Sequence, residues 1–326
     1  MERLKKNLVL ALVLGIAVYL VLAVVSGLED LRDALSGFDL SLIPAILGLV
    51  SLSYAVRFVR WAYYLKVLNV RVPLGANAAI FAAGLSMTIS PGKLGEVLKS
   101  VFIKDVAGTP VARTAPAVVA ERATDGTGMV LWGLLGALAF SFGPWLLLLF
   151  LALTGVGISV LRSKRLSLLA ERTLRKLPFL DRLAPHVGDF YGASNELLAF
   201  RPLVVASGIS FLAWGLECVA VYLCALGVGA GEPFLVVVFV FVVSSLAGAA
   251  TMLPGGLGAA EAGMAGMLAA VAGLSGGLAV ALTFVIRLTT LWFATLIGVA
   301  GLLVVRRVIG EPLDAAVTEA GTNPDR

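Results

Sequence analysis

Charged side chains are scarce in this 326-residue sequence, since Asp, Glu, Lys and Arg together make up only 14% of it. Hydrophobic residues make up 60%, and the mean hydropathy is +1.00. A soluble globular domain carries about 25% charged residues. The apolar runs, such as 7–26 and 203–228, are long enough to cross a hydrocarbon core, which takes about 20 helical residues. The composition therefore excludes a soluble enzyme and predicts an integral membrane protein.

Histidine and cysteine are almost absent. The only histidine, His186, lies in a polar linker, and the two cysteines, Cys218 and Cys224, lie on one apolar segment. Six residues apart on a helix, the two thiols point in different directions, so we expect core residues and no disulfide. These residues cannot build a zinc site or a histidine-based catalytic set. We therefore predict no metal, no cofactor and no catalytic residue.

The hydropathy pattern predicts an all-α polytopic membrane protein in which residues 1–310 form a single transmembrane domain and 311–326 form a cytoplasmic tail. Two apolar segments, 74–105 and 234–272, are each interrupted by Pro-Gly, and each resulting piece is too short to span a bilayer. Such pieces predict two re-entrant helical hairpins buried within the protein. The remaining apolar runs predict about six full transmembrane helices, at about 7–26, 40–65, 112–140, 145–161, 202–228 and 277–305.

The two interrupted segments share a motif. Pro91–Gly95 and Pro254–Gly258 both read Pro-Gly-x-Leu-Gly, and a threonine precedes each by three residues. A glutamate and an arginine then follow 26 residues apart in both cases, as Glu96 and Arg122 and as Glu261 and Arg287. The pattern predicts two repeats, at about 40–141 and 202–305. Three predicted full helices lie between the hairpins, and this odd number makes the repeats inverted, an arrangement that many transporters use.

The distribution of basic residues predicts the topology. The net charge of +5 fits the positive-inside rule better than it fits nucleic-acid binding, and it places both termini in the cytoplasm. The linker 162–201 is basic, and Leu166, Leu169, Leu174 and Leu177 form a helical stripe. We expect a helix on the cytoplasmic membrane surface, in contact with anionic lipid headgroups. Arg57 and Arg60, close to Trp61, are interpreted as cytoplasmic interface residues.

The strongest candidate site residues are Arg122 and Arg287, each about ten residues into a predicted membrane helix. A charge there costs at least about 2.5–3.5 kcal/mol on insertion scales. The two arginines could form buried ion pairs, Arg122 with Asp125 and Arg287 with Glu261 or Glu217. They could equally hold an anion such as phosphate through bidentate contacts.

The Pro-Gly turns allow two interpretations as well. Each could be only a tight turn for close helix packing, or it could aim the N-terminus of a short helix at a ligand, to which Lys93 would add a charge. The glycines that would let a ligand approach the backbone are Gly92, Gly95, Gly255, Gly256 and Gly258.

The acidic candidates are also ambiguous. Glu96 and Glu261 fall in first turns of helices, where they could stabilise the helix start, gate the site or take up a proton. Glu121, Asp125 and Glu217 could pair with arginine or bind a cationic headgroup.

Two motifs resemble a known family. Pro91-Gly-Lys-Leu-Gly-Glu96, followed by Ala120-Glu-Arg-Ala-Thr-Asp125, resembles the transmembrane region of the lysylphosphatidylglycerol synthase family. Pro254–Gly258 and Glu261 look like that family's second motif, and the similarity covers about 10–305. In larger members this region is similar to a lipid flippase joined to a soluble aminoacyl-transferring domain. This sequence contains no such domain, so the resemblance implies lipid translocation, with Arg122 and Arg287 on matching motifs, and not synthase activity.

The leading hypothesis is thus a flippase of the cell membrane that moves a phosphate-bearing lipid or a lipid-linked sugar between leaflets. Three alternatives stay open: a secondary transporter of a small anion, a membrane-embedded enzyme acting on a lipid phosphate or lipid-linked sugar, and a subunit that only anchors a partner. Glu121 and Asp125, one helical turn apart, are the compact carboxylate pair that the enzyme would use. The expected partners are membrane lipids and no nucleic acid, and a homo-oligomer is left open.

Overall fold

The computed structural model describes residues 15, 17–22, 24, 27–90, 95–140, 143–174 and 184–309, and within these ranges it contains helices and no β-strand. Predicted features on the other residues, including most of the span 7–26, the tail 311–326 and Leu177, lie outside the described residues. The described helices are α1 (Leu28–Ser36), α2 (Ile43–Val67), α3 (Leu74–Leu85), α4 (Leu98–Ala107), α5 (Val111–Ala137), α6 (Gly143–Leu161), α7 (Lys164–Leu174), α8 (Ala184–Leu197), α9 (Phe200–Gly227), α10 (Phe234–Ala250), α11 (Ala259–Ala270), α12 (Gly276–Arg287) and α13 (Phe293–Ile309).

Three stretches are long and apolar enough to cross a membrane: Leu40–Val67, Phe200–Gly227 and Gly276–Val305. The first joins a 3-10 turn to α2, and the third joins α12 to α13 through a π-helical segment, Leu288–Trp292. These stretches agree with the spans predicted at 40–65, 202–228 and 277–305. The membrane character predicted from composition therefore has a structural basis in at least these three helices.

The apolar pieces on either side of the Pro-Gly motifs form short helices. Leu74–Ile89, which is α3 with its 3-10 extension, and Phe234–Ala250 are both shorter than a full span. Each is followed along the chain by another short helix, α4 or α11, and α3 packs on α4 as α10 packs on α11.

α2 and α9 pack along one another, and each ends in the same kind of turn. Asn69 and Gly229 both have positive φ, 57° and 77°. The next N–H in each turn bonds five residues back, from Val70 to Leu65 (2.8 Å) and from Ala230 to Ala225 (2.9 Å). Because the positions in the two turns differ by the same 160 residues, the exits of α2 and α9 correspond position by position.

Each short apolar helix packs against a long helix from the other half of the chain. α3 lies on α13, where a Cβ on Gly301 would stand 2.5 Å from the backbone nitrogen of Ala83. α10 lies on α5, where a Cβ on Gly136 would stand 2.8 Å from the backbone nitrogen of Phe239. Glycine is required at both contacts because the two backbones touch.

The apolar core has two large parts. One surrounds α9 and α10, and it contains both cysteines, which are free and fully buried, as the sequence predicted. The other joins α2, α3, α4 and α8 around Trp61, Phe102 and Leu197.

The linker between α6 and α9 differs from the predicted surface helix. Leu166, Leu168 and Leu169 on α7 are exposed, as expected of a helix that lies on a membrane. Ala193 and Leu197 on α8 are instead fully buried, because α8 packs on α5. A bidentate ion pair between Arg113 and Glu196, with both N–O distances at 2.8 Å, joins these two helices. The linker is therefore partly a member of the helical bundle.

Candidate functional site

A cavity of about 360 Å³ lies between the two halves of the chain. Its walls come from α2, α3 and α5 in the first half and from α9, α10 and the region around Arg287 in the second. Most of the predicted site residues meet here although they are far apart in sequence. Those that line the cavity are Glu96, Glu121, Arg122, Asp125, Glu217, Gly255, Gly256 and Arg287.

The other predicted site residues lie in or beside the two turns. The N–H of Gly95 donates to the Ser90 hydroxyl (2.9 Å), and the N–H of Gly258 donates to Glu261 (2.8 Å). Glu261 is fully buried and contacts Arg287. Gly92 and Lys93 lie outside the described residues.

Asp125 is the hub of a network of arginines. Arg57 and Arg60 of α2 donate to its Oδ1 at 3.0 and 2.6 Å, and Arg122 reaches its Oδ2 at 3.2 Å. Arg57 also donates to Glu217 of α9 at 2.9 Å and stacks 4.7 Å from the ring centre of Trp214. The network therefore ties α2, α5 and α9 together through charge-assisted hydrogen bonds, which are stronger than neutral ones.

The interpretation of Arg57 and Arg60 as interface residues is wrong. The Arg60 side chain is 1% exposed and also lies 3.9 Å from Glu121. Arg57 and Arg60 are three residues apart on α2, so they share one face, and Glu121 and Asp125 share a face of α5 in the same way. This spacing of two cations and two carboxylates is the sequence signal that could have predicted the pairing.

Lys99, which was not predicted from the sequence, pairs with the carboxylates on one side of the cavity. Its Nζ lies 2.5 Å from Glu121 and 3.6 Å from Glu96, and 4.4 Å from the ring centre of Trp61. A Cβ at Gly84 would stand 2.7 Å from Lys99 Cδ, so this glycine gives the buried lysine its space.

The first glutamate–arginine pair faces the cavity. Arg122 lies 3.2 Å from both Glu96 and Asp125, and its side chain remains 33% exposed. Its Nε has no hydrogen-bond partner among the described residues. That Nε is itself buried, so a ligand would reach the exposed third of the Arg122 side chain, which lines the cavity.

The second glutamate–arginine pair, Glu261 and Arg287, is engaged in hydrogen bonds within the protein. Arg287 donates from Nε to Glu261 (2.6 Å) and from NH2 to the carbonyl of Gly255 (2.7 Å). Glu261 uses its other oxygen on the N–H of Gly258, just before α11 begins. Gly255, Gly256 and Gly258 all have positive φ, so the turn that this pair holds requires glycine.

The proposed ion pairs of Arg122 with Asp125 and of Arg287 with Glu261 are therefore present. Glu217 pairs with Arg57, and in the part of the chain that the structure describes it makes no recorded ion pair with Arg287. Beyond Arg287, the carbonyl of Thr290 in the π-helical segment accepts a hydrogen bond from Tyr54, another lining residue (2.8 Å).

The model of the family described as "Lysylphosphatidylglycerol synthase TM region" matches residues 11–298. The chain belongs to this family. The resemblance carried by the Pro-Gly motifs and by the Glu121–Asp125 segment is thereby confirmed.

The relatives of this family member carry the name UPF0104 membrane protein. One from Pyrococcus horikoshii is 25% identical over 327 residues, which covers 91% of this chain and 96% of the relative. Two from Methanothermobacter thermautotrophicus are 27% identical over 265 residues, covering 75% and 77%, and 24% identical over 318 residues, covering 89% and 93%. The similarity therefore covers at least three quarters of this chain and of each relative.

The charges at the cavity of this family member are balanced. Among the described residues, the cations Arg57, Arg60, Lys99, Arg122 and Arg287 face the carboxylates Glu96, Glu121, Asp125, Glu217 and Glu261. Most are buried in pairs, which avoids the large cost of an isolated charge. The partly exposed side chain of Arg122 is thus set in a network that is close to neutral.

Proposed function

We propose that this chain is a flippase, which moves a phosphate-bearing lipid or a lipid-linked sugar between the leaflets of the cell membrane. The observation that carries this proposal is the one-third-exposed side chain of Arg122 inside a charge-balanced cavity. Arginine is well suited to phosphate because its planar fork can donate two parallel hydrogen bonds. An anionic headgroup could therefore bind to the exposed part of Arg122.

The proposal includes an architecture of two inverted repeats, with two re-entrant hairpins and about six full spans. Two observations support it: the matching exits of α2 and α9, and the crossed packing of α3 on α13 and of α10 on α5. Arg57 and Glu217, which pair across the cavity, are 160 residues apart and so stand at corresponding positions of α2 and α9. A site between two such repeats is the usual place for a transported substrate.

In this scheme Arg122 contacts the substrate, whereas Arg287 positions the second turn. Glu121 and Asp125 are held by Lys99 and by arginines, so we assign them to the structure of the site and propose a transporter that is not an enzyme. A secondary transporter of a small anion is the second candidate, because the same partly exposed arginine could hold inorganic phosphate.

The test of the function is transport by the purified full chain in liposomes. A fluorescent phosphatidylglycerol serves as the lipid probe and labelled inorganic phosphate as the soluble probe. We expect Arg122→Gln to slow lipid movement roughly ten- to hundredfold, since a hydrogen bond to a charged group contributes about 1.5–3 kcal/mol. Arg122→Lys should restore part of the rate, because it keeps the charge and loses the fork.

Arg113→Gln is the matched control. Arg113 also lies on α5, but it pairs with Glu196 outside the cavity. Normal lipid movement by Arg122→Gln would contradict the proposal. Movement of phosphate and not of lipid, lost in Arg122→Gln, would favour the second candidate.

The topology is tested by single cysteines. Gly188 on α8 and Gly231 between α9 and α10 are exposed, and a Cβ at either would meet nothing within 4 Å. With both termini cytoplasmic, a membrane-impermeant reagent should label Gly231→Cys and not Gly188→Cys in intact cells. The unmodified chain, whose two cysteines are buried, is the control, and external labelling at position 188 would contradict the scheme.

A further inference from the structure

The wall of the charged cavity includes an exposed apolar rim at the second Pro-Gly turn. Met252 is 58% exposed and Leu253 is 44% exposed, and both line the cavity that contains Arg122. The backbone of this rim continues the exposed end of α10, where Ala249 and Ala250 are also exposed. An apolar surface is thus continuous with a cavity whose interior is charged.

The first Pro-Gly turn lacks such a rim at the corresponding positions. Ile89 stands two residues before Pro91, as Met252 stands two residues before Pro254. Ile89 is buried against Leu257 and Leu291, and the hydroxyl of Ser90 accepts a hydrogen bond from the N–H of Gly95. The apolar exposure therefore belongs to the second turn and is not a general property of the motif.

The rim is held in a specific conformation. Met252 has φ 55°, a left-handed conformation that residues other than glycine adopt rarely. Thr251 fixes the turn, because its hydroxyl donates to the carbonyl of Gly248 (2.7 Å) and lies 3.4 Å from the N–H of Leu253. Backbone strain of this kind persists where the surrounding structure imposes it, and it is concentrated at functional sites.

An apolar rim suits one class of substrate. A soluble anion is drawn in by charges at the mouth of a cleft and gains nothing from an apolar entrance, which strips its water. A lipid differs, because its headgroup can reach a guanidinium while its hydrocarbon chain stays on an apolar surface. The hydrocarbon chain of the lipid then stays out of water throughout. Keeping it covered is favourable by about 25 cal/mol for each Å² of apolar surface.

We propose that Met252 and Leu253 form a lateral portal, on which a hydrocarbon chain of the transported lipid lies while the headgroup contacts Arg122. The substrate is accordingly an anionic amphiphile and not a free anion. This inference rests on the proposed transport function, and it adds the route by which the substrate enters and the part of the substrate that stays outside.

The first experiment is photo-crosslinking in vesicles. The full chain is reconstituted with a phosphatidylglycerol that carries a diazirine in the middle of one acyl chain, and the labelled residues are mapped by mass spectrometry. Leu131 and Leu135, each 39% exposed, provide the internal control, because they line a separate apolar groove between α5, α6 and α9. Ordinary boundary lipid should label that groove whatever the state of the charged cavity.

We expect labelling of Met252 and Leu253 to fall roughly tenfold in Arg122→Gln, with labelling of the groove unchanged, because the rim lipid is held by its headgroup. Equal labelling of rim and groove, unaffected by Arg122→Gln, would show that the rim meets only boundary lipid and would overturn the portal. Labelling of the groove alone would overturn it as well.

The second experiment measures movement of the fluorescent phosphatidylglycerol. Met252→Asn combined with Leu253→Asn makes the rim polar, and asparagine tolerates the left-handed conformation at position 252. We expect slower movement than in the matched control, Leu131→Asn combined with Leu135→Asn. The crosslinking result in the unmodified rim decides the question if the polar rim variant does not fold.

The two proposals fail in different ways. If the wild-type chain moves no lipid, the flippase function falls and the portal falls with it. If lipid movement depends on Arg122 while rim labelling and the rim variant behave like the groove controls, the function stands and only the portal is wrong.

Discussion

The two glutamate–arginine pairs share a spacing of 26 residues and differ in almost everything else. Glu261 and Arg287 are 0% and 11% exposed, and their bonds are short and directed at the turn beside them. Arg122 is 33% exposed, stands 3.2 Å from two carboxylates and keeps an unbonded Nε. One motif has thus produced a closed clamp in the second half of the chain and an open contact in the first.

The difference indicates a division of labour within one cavity. A ligand-binding group must be reachable from the cavity, whereas a group that fixes a strained turn needs its donors engaged within the protein. The equivalence of Arg122 and Arg287 that sequence alone predicted therefore does not extend to their bonding and exposure. Three comparisons between variants test how far the two sides differ.

The largest effect is expected from Arg287→Gln. It leaves the fully buried Glu261 without its ion-pair partner, and breaking a buried pair costs about 3–5 kcal/mol. Arg122→Gln should cost much less, because Glu96 keeps Lys99 nearby and Asp125 keeps Arg57 and Arg60. Thermal unfolding of both variants in detergent measures the contrast.

A second substitution tests whether Arg287 acts as the ion-pair partner of Glu261. Adding Glu261→Gln to Arg287→Gln removes the unpaired charge, so stability should largely return. Equal stability of the two single variants would mean that the clamp and the open contact are energetically alike, and the division of labour would then be wrong.

A smaller effect is expected from alanine in the turns. Gly256→Ala puts a side chain on a residue with φ 67°, and its Cβ would lie 3.2 Å from the backbone of Gly248. The left-handed conformation alone costs about 1–2 kcal/mol, and crowding adds to it. Gly95→Ala should be milder because its φ is not positive, so that its cost comes from crowding against the side chains of Ser90 and Met87 and not from the backbone conformation. Unfolding midpoints that rank the two variants the other way round would contradict this account of the turns.

The smallest effect is expected from relaxing the second turn. Met252→Gly removes the penalty of the left-handed conformation and should raise stability by up to about 1 kcal/mol relative to Met252→Ala, which loses the same side chain but keeps the strain. The comparison uses unfolding in detergent, where the membrane does not contribute. An alanine variant as stable as the glycine variant would show that the turn carries no strain.

Sequence reasoning went far on the class of fold and on the list of charges. Long apolar runs and the scarcity of charge require a membrane protein, and three spans have the predicted bounds to within a few residues. The recurrence of Pro-Gly-x-Leu-Gly, glutamate and arginine brought Glu96, Arg122, Gly255 and Arg287 onto one list, and all four line one cavity. These successes depend on local composition and spacing, which a sequence displays directly.

The misses concern side chains whose role depends on the far half of the chain. Arg57 and Arg60 have the composition of an interface, with aromatic residues next to basic ones. Their spacing on one helix face allows a pairing with α5, but the approach of α5 and α9 is needed to identify Asp125 and Glu217 as their partners. Lys99 is similar, because nothing local indicates that Glu121 stands against it. The unequal exposure of the two arginines depends on packing as well, which no motif encodes.

The π-helical segment Leu288–Trp292 allows two requirements to be met on one rod. A π turn amounts to one residue inserted into an α-helix, and each residue turns an α-helix by about 100°. Arg287 must point at the second turn, while Gly298 and Gly301 must point at α3. The insertion adjusts the phase between these faces, so a one-residue deletion there would swing the glycines away from α3 by about a quarter turn. The π-helical segment therefore sets the rotation of Arg287 around the helix axis relative to that of Gly298 and Gly301.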